Sequence, residues 1–176
     1  MIDINIQWEG PFSYQEALNL NSDSDYGLYQ YYGDHSTYGA STLLYLGQAS
    51  KQTFGRRIAQ HNWHLWASSE IAIHIGKIWT SEPLDEAEWI RKIDLAERIN
   101  LFSHSPSFNT SNLNNIGHNG EDTRVLNWGK RRLLLPEISI SRWAGEFAVG
   151  HRLHDTFRPQ CKKKVPIVDD LNPPVE

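Results

Sequence analysis

Four side chains of types able to act on a phosphodiester lie close together in the stretch 27–61, GLYQYYGDHSTYGASTLLYLGQASKQTFGRRIAQH. Arg57 offers a planar fork of donors that matches a phosphate. Tyr29, Tyr45 and His61 could move or hold the proton of an attacking water. Gly47 leaves room for a close backbone approach. Arg57 and His61 stand four positions apart, so on a helix they share one face. Phosphodiester cutting also calls for a carboxylate, and this stretch supplies none in an obvious place.

The elements that would carry these residues follow from periodicity. Residues 26–32 are rich in Tyr and read as a strand, 33–41 as a long hairpin loop, and 42–47 as a second strand. Period-two alternation places Gly27, Tyr29 and Tyr31 on one face, and Leu43, Tyr45 and Gly47 on one face of the partner, so Tyr29 and Tyr45 can look the same way. A helix is expected from about Lys51 to Trp63, with Ser50 or Thr53 as its cap. A β-branched strand is expected from about Glu70 to Trp79, and a long helix from Leu84 to about Phe102, stopped by Ser105-Pro106. On that helix Ile90, Ile93, Glu97 and Leu101 fall within one narrow arc. Glu97 therefore interrupts an apolar stripe, which is costly unless something compensates. Two readings stay open: an Arg or Lys reaching across, or a metal ligand facing a cleft. Asp94 lies at the edge of the arc and is the weaker candidate. Asn109, just beyond the helix, could anchor a phosphate or lock its loop.

The rest of the chain sets bounds. Its 176 residues suit one domain, and 39% hydrophobic with 22% charged residues fits a globular chain. No apolar run is long enough to cross a bilayer, so no membrane association is expected. The N-terminus MIDINIQWEG lacks the apolar core of a secretory signal. The single cysteine, Cys161, excludes an internal disulfide framework and a Cys-rich zinc site, and a reducing cytoplasmic location is expected. A net charge of −4 argues against non-specific coating of nucleic acid, but the cations are clustered: Lys51, Arg56 and Arg57; Arg124, Lys130, Arg131 and Arg132; and Arg158 with Lys162, Lys163 and Lys164. Residues 1–25 form an N-terminal arm with Ile4, Ile6 and Trp8, a Gly10-Pro11 turn and a short helix capped by a Ser13/Glu16 box. Residues 109–122 read as an Asn- and Gly-rich loop. Short strands over RVLNW and RLLLPEISI and a short helix near Trp143 are expected in the C-terminal part.

GLY, then YLG, then RRIAQH, then Glu97, then Asn109, in this order, resembles the GIY-YIG nuclease superfamily over about residues 26–110. The Arg57-to-His61 and Glu97-to-Asn109 steps are like those of its restriction-enzyme branch. Leucine replaces isoleucine in both triplets, and the segment between them is longer than usual in the family. The resemblance implies an α/β fold: a small, three-stranded, mostly antiparallel sheet flanked by helices (26–112), with the N-terminal arm (1–25) and a C-terminal extension (113–176), all in one domain. It implies a metal-dependent DNA endonuclease using one divalent ion, Mg²⁺ with Mn²⁺ as substitute, held by Glu97. Arg57 would bind the scissile phosphate, and Tyr29 or His61 would take the proton of the water, the family likeness favouring Tyr29. Tyr45 would hydrogen-bond the water or phosphate, and Asn109 completes the set. DNA would also dock on Lys51, Arg56, Arg124, Lys130, Arg131, Arg132 and the tail lysines. A homodimer is left open. The rival classes are a non-catalytic nucleic-acid-binding module of the same fold and a nuclease toxin or defence effector.

Overall fold

A computed structural model describes residues 2–61, 70–114 and 122–139. The expected helix near Trp143, the tail lysines 162–164 and Arg158 lie outside the described residues. The elements in chain order are β1 (Ile2–Phe12), α1 (Tyr14–Leu18), β2 (Gly27–His35), β3 (Gly39–Ala49), α2 (Phe54–Ala59), β4 (Ala72–Trp79), α3 (Glu86–His104), β5 (Thr123–Gly129) and β6 (Glu137–Ser139). No described helix is long and apolar enough to cross a membrane.

The sheet corrects the sequence-based expectation. It has six strands in the order β3-β2-β4-β1-β5-β6, not three. The expected strands β3, β2 and β4 are adjacent and antiparallel, but they form only half of it. The supposed arm supplies the strand that joins the halves: β1 pairs antiparallel with β4 and parallel with β5. The physical reason is in its alternation. Ile4, Ile6 and Trp8 are fully or almost fully buried on one face, and the backbone between them finds partners on both sides. Trp8 is fixed further by donating its indole N–H to Asn127 Oδ1 on β5 (2.8 Å).

Each face of the sheet carries its own core. On one, α3 packs Trp89, Ile93 and Ile99 against Ile4, Ile6, Trp8, Leu28, Leu46 and Val125. On the other, α1 and α2 pack Ala17, Phe54 and Ile58 against Tyr29, Tyr31, Leu44, Ile73 and Ile75. The Ser13/Glu16 capping box starts α1 as expected. α2 is shorter than expected, six residues. Thr53 precedes it without capping it, because its hydroxyl donates instead to Asn21 Oδ1 (2.6 Å). α3 ends where expected, with Ser105 in the left-handed conformation ahead of Pro106.

Beyond α3 the chain returns along the outer side of β3. The amides of Ser107 and Phe108 donate to the carbonyls of Leu43 and Leu44. The Asn109 side chain continues this pairing: its Nδ2 donates to Leu46 O (2.9 Å) and its Oδ1 accepts from Leu46 N (3.0 Å). The edge of β3 is thus covered as far as Leu46, and the site described next begins at Gly47.

Candidate functional site

The register of β2 and β3 decides which tyrosines meet. Tyr29 lies opposite Gly47, and Tyr31 opposite Tyr45. Residues directly opposite on an antiparallel pair share a face, so all three phenol rings project toward α2. Their centroids are 5.6 Å (Tyr29–Tyr31), 6.0 Å (Tyr29–Tyr45) and 5.9 Å (Tyr31–Tyr45) apart. Gly47 makes this packing feasible. A Cβ there would come within 2.7 Å of the Tyr29 hydroxyl and of the Tyr45 ring, so the Tyr29 ring occupies the space a side chain would take. Gly27 is required for a different reason. Its φ is +144°, and a Cβ would meet the Gly76 carbonyl of β4 at 2.1 Å.

His61 follows the short helix α2, with its amide still donating to Ile58 O (3.0 Å). This brings its Nε2 to 3.0 Å from the Tyr29 hydroxyl, with the ring 5.4 Å from Tyr45. Burial and the Arg57 charge push the His61 pKa below its ordinary value of 6.5. The neutral imidazole therefore prevails at pH 7, and in the tautomer protonated on Nδ1, Tyr29 donates to Nε2. Tyr29 itself is held well above the usual phenol range, by burial first and then by Tyr45 and Tyr31, with Arg57 opposing. Tyr45 is also raised, by burial and then by Glu97, with Arg57 opposing. Arg57 is half-buried, and its Nη1 donates to Gln60 Oε1 (3.1 Å). Gln60 is paired in both directions with Gln52 (3.0 and 2.9 Å), which braces the guanidinium from behind.

Glu97 reaches this group from the other side of the edge strand. Gln48, one residue past Gly47, lies opposite Leu28 and so faces α3. Its Nε2 donates to Glu97 Oε2 (2.8 Å) and, more weakly, to Asp94 Oδ1 (3.4 Å). The hydrogen-bonding partner of Glu97 is therefore a neutral amide rather than an Arg or Lys reaching across. Asp94 in turn takes an ion pair from Arg98 (2.8 Å). Burial drives the Glu97 carboxyl up to about 7, the Gln48 hydrogen bond opposes this, Asp94 adds to it, and Arg57 and Arg98 counteract it. The charge of Arg57 favours the ionised form of Glu97, and the charge of Glu97 in turn disfavours ionisation of Tyr29 and Tyr45 across the edge strand.

Among the described residues no group of three or more His, Cys, Asp or Glu side chains converges as a ready-made metal cage. The donor set nevertheless fits a hard divalent ion bound mostly through water and substrate oxygens. It presents a carboxylate made basic by burial and hydrogen-bonded by a neutral amide, with the Asp94 carboxylate on the same amide.

The structure thus brings Tyr29, Tyr45 and His61 into contact, with Arg57 on the adjoining helix, and sets Glu97 on the opposite side of the edge strand through Gln48. Asn109 stands at the boundary of the site with both ends of its amide engaged by Leu46. Of the expected DNA contacts, Lys51 and Arg56 are exposed near α2, and Lys130 and Arg132 are exposed on the β5–β6 loop. Arg124 is instead committed to the sheet: it pairs with Asp3 on β1 (Nε–Oδ1 3.0 Å, Nη2–Oδ2 2.6 Å), and Glu137 lies 3.6 Å away. The sequence reading had not placed Tyr31, Gln48, Gln52 or Gln60 in the site. Alternation could have brought in Tyr31. Nothing local marks the glutamines, because their roles depend on contacts across elements. No family model matches the chain, and comparison with curated proteins and with solved structures likewise gives no match.

Proposed function

We propose that this protein is a metal-dependent endonuclease that hydrolyses DNA phosphodiesters, related in chemistry to the GIY-YIG nucleases that its ordered site residues resemble. The observation that carries the reading is the 3.0 Å contact between Tyr29 and a neutral His61, next to Tyr45 and Arg57, with the basic Glu97 carboxylate across the edge strand. In this reading the scissile phosphate lies against Arg57, whose Nη2 side can make charge-assisted bonds while Nη1 stays braced by Gln60. The Tyr29 hydroxyl accepts the proton of the attacking water as its own proton passes to His61 Nε2. A phenol with a raised pKa could not do this as a free phenolate near neutral pH; the neutral imidazole supplies the missing acceptor. Tyr45 holds the water or a phosphate oxygen in line. Glu97, with Asp94 beside it, would hold Mg²⁺ or Mn²⁺. Such an ion would supply positive charge to the phosphate and the leaving oxygen.

The test is supercoiled plasmid with Mg²⁺. Wild type should nick and linearise it, and Glu97→Gln should lose about a thousandfold or more in rate while retaining DNA affinity. Tyr29→Phe and His61→Ala should each lose about a hundredfold or more. With Mg²⁺ saturating, so that Glu97 stays ionised, the single-turnover rate should climb with the titration of His61, below its ordinary pKa, and be flat above about pH 7. Continued tenfold gains per pH unit up to pH 9 would remove His61 from the relay. An intact rate in Glu97→Gln would remove the metal assignment.

A further inference from the structure

The turn between β2 and β3 holds a large aromatic ring out in solvent. Tyr38 is 68% exposed, the highest among the exposed large hydrophobic residues described. Its position is nonetheless fixed. The His35 ring stacks on it at 4.7 Å and 26°, and His35 Nδ1 accepts from the amides of Thr37 (3.1 Å) and Tyr38 (3.2 Å). Phe108 lies 5.6 Å from His35 on the side of the β3 cover. One face of the tyrosine is therefore occupied and the other is open, in an arrangement that buries too little of Tyr38 to serve the core.

Across from it stands the β5–β6 loop. Arg132 adopts a left-handed φ of 56°, and its guanidinium sits 4.8 Å from the centroid of the Tyr32 ring, whose hydroxyl accepts from Leu133 N (3.2 Å). Between loop and hairpin runs an open groove of about 640 Å³ lined by Tyr38, Ala40, Ser41, Thr42, Arg132 and Leu133. Lys130 and Arg131 adjoin it in sequence. The hairpin's acid, Asp34, accepts from the Ser41 amide (3.2 Å). The groove thus combines an aromatic face, small polar side chains on its floor and a guanidinium at its side, on a loop with a run of three cations.

We infer that this groove takes an unpaired nucleotide of a nucleic-acid strand, its base on the open face of Tyr38 and its phosphate toward Arg132. The inference rests on the nucleic-acid reading above and narrows its substrate class. Bases within a duplex already have both faces covered by their neighbours. A protein ring with one free face therefore suits a base outside the stack, in a single strand or at a junction. The cationic loop supplies the sequence-independent attraction to the backbone.

The experiment measures fluorescence anisotropy of a labelled oligothymidylate and of a duplex of equal length, with EDTA present so that no cutting occurs. Wild type should bind the single strand more tightly than the duplex. Tyr38→Ala should weaken single-strand binding about tenfold or more, whereas Tyr38→Phe, which keeps the ring, should retain it. Arg132→Gln should lower the slope of log affinity against log salt by about 0.7. Unchanged single-strand affinity in Tyr38→Ala, equal losses in the Phe and Ala variants, or a wild-type preference for duplex would each overturn the proposal. Plasmid cleavage in Mg²⁺, run alongside, separates the two readings. Cutting without any Tyr38 dependence of strand binding overturns the groove alone. Tyr38-dependent strand binding without cutting leaves the groove standing and overturns the nuclease.

Discussion

Two acids of this protein, the buried Asp25 and the half-buried Glu97, keep different company. Asp25 is buried just ahead of β2 and meets the ammonium of Lys77 from β4 at 3.0 Å, with both side chains 9% exposed; it also accepts from Ser22 N (2.9 Å). Glu97 meets the amide of Gln48, which carries no charge, and its carboxyl is driven up to about 7. In the first case the fold itself supplies the counter-charge, and the pair ties the segment before β2 to the middle of the sheet. In the second the hydrogen-bond partner is the neutral Gln48, and Arg57 and Arg98 only partly offset the effect of burial. A buried acid with its cation in place is structure. A buried acid without a full counter-charge destabilises the fold at neutral pH and leaves room for a ligand that brings the charge.

The largest effect should come from breaking the complete pair. Lys77→Met leaves Asp25 buried and uncompensated and should cost about 3–5 kcal/mol in urea unfolding, most of it recovered when Asp25→Leu is added. A loss below about 1 kcal/mol would mean that the pair behaves like a surface one and that the contrast with Glu97 fails.

Next is the pH dependence of the incomplete site. The folded pKa of Glu97, about 7, lies above its ordinary value of 4.5. Its contribution is therefore fully present below about pH 4.5 and is lost as pH rises through 7, a difference on the order of 2–3 kcal/mol. The depressed pKa values of His61 and His104 act in the opposite direction, toward lower stability as pH falls. The group is isolated by subtracting the Glu97→Gln stability curve from that of wild type. Glu97→Gln should be the more stable protein at pH 8, and Mg²⁺ should raise the wild-type Tm there while leaving that of Glu97→Gln unchanged.

A smaller change tests the amide. Gln48→Leu removes the hydrogen bond that favours the charged carboxylate, so the Glu97 midpoint followed by carboxyl NMR should rise by about one unit. An unshifted midpoint would mean that water replaces Gln48 and that its placement carries little. The smallest effect concerns Arg124, a cation that, like Lys77, is already paired. Arg124→Gln should leave DNA affinity within about twofold of wild type and act on stability instead. A tenfold loss of affinity would show that its pairing with Asp3 and Glu137 opens to bind phosphate.

Much of the local structure could be read directly. The β-branched run before Trp79, the Ser13/Glu16 box and the Ser105-Pro106 stop each act through near neighbours in sequence, and each appears where expected. Alternation allowed Tyr29 and Tyr45 to share a face, and the β2–β3 register then made them do so. The extent of the sheet could not be read in this way. Ile4, Ile6 and Trp8 announce a strand, but nothing near them says that its partners lie some 70 and 120 positions away, β4 on one side and β5 on the other. Arg124 looked like one member of a basic cluster because its partner Asp3 is 121 positions distant. α2 begins at Phe54 rather than near Lys51 and closes at Ala59 with Gln60 as its C-cap, limits set by its packing and not by a local stop signal.

The sequence by itself determined which residue types stand at which steps: the tyrosine of each triplet, an arginine and a histidine four apart, and an acid set into an apolar stripe. These follow from composition and period, and they suffice to suggest phosphodiester chemistry. Only the tertiary structure decided what each group faces. The β2–β3 register set Tyr29 against the vacant Cβ position of Gly47, and the turn after α2 brought His61 to the Tyr29 hydroxyl. The packing of α3 along the edge strand gave Glu97 an amide where Asp25 received an ammonium. Protonation and affinity depend on burial and on neighbours within a few ångströms. Folding creates both from residues far apart in the chain, and periodicity cannot encode either.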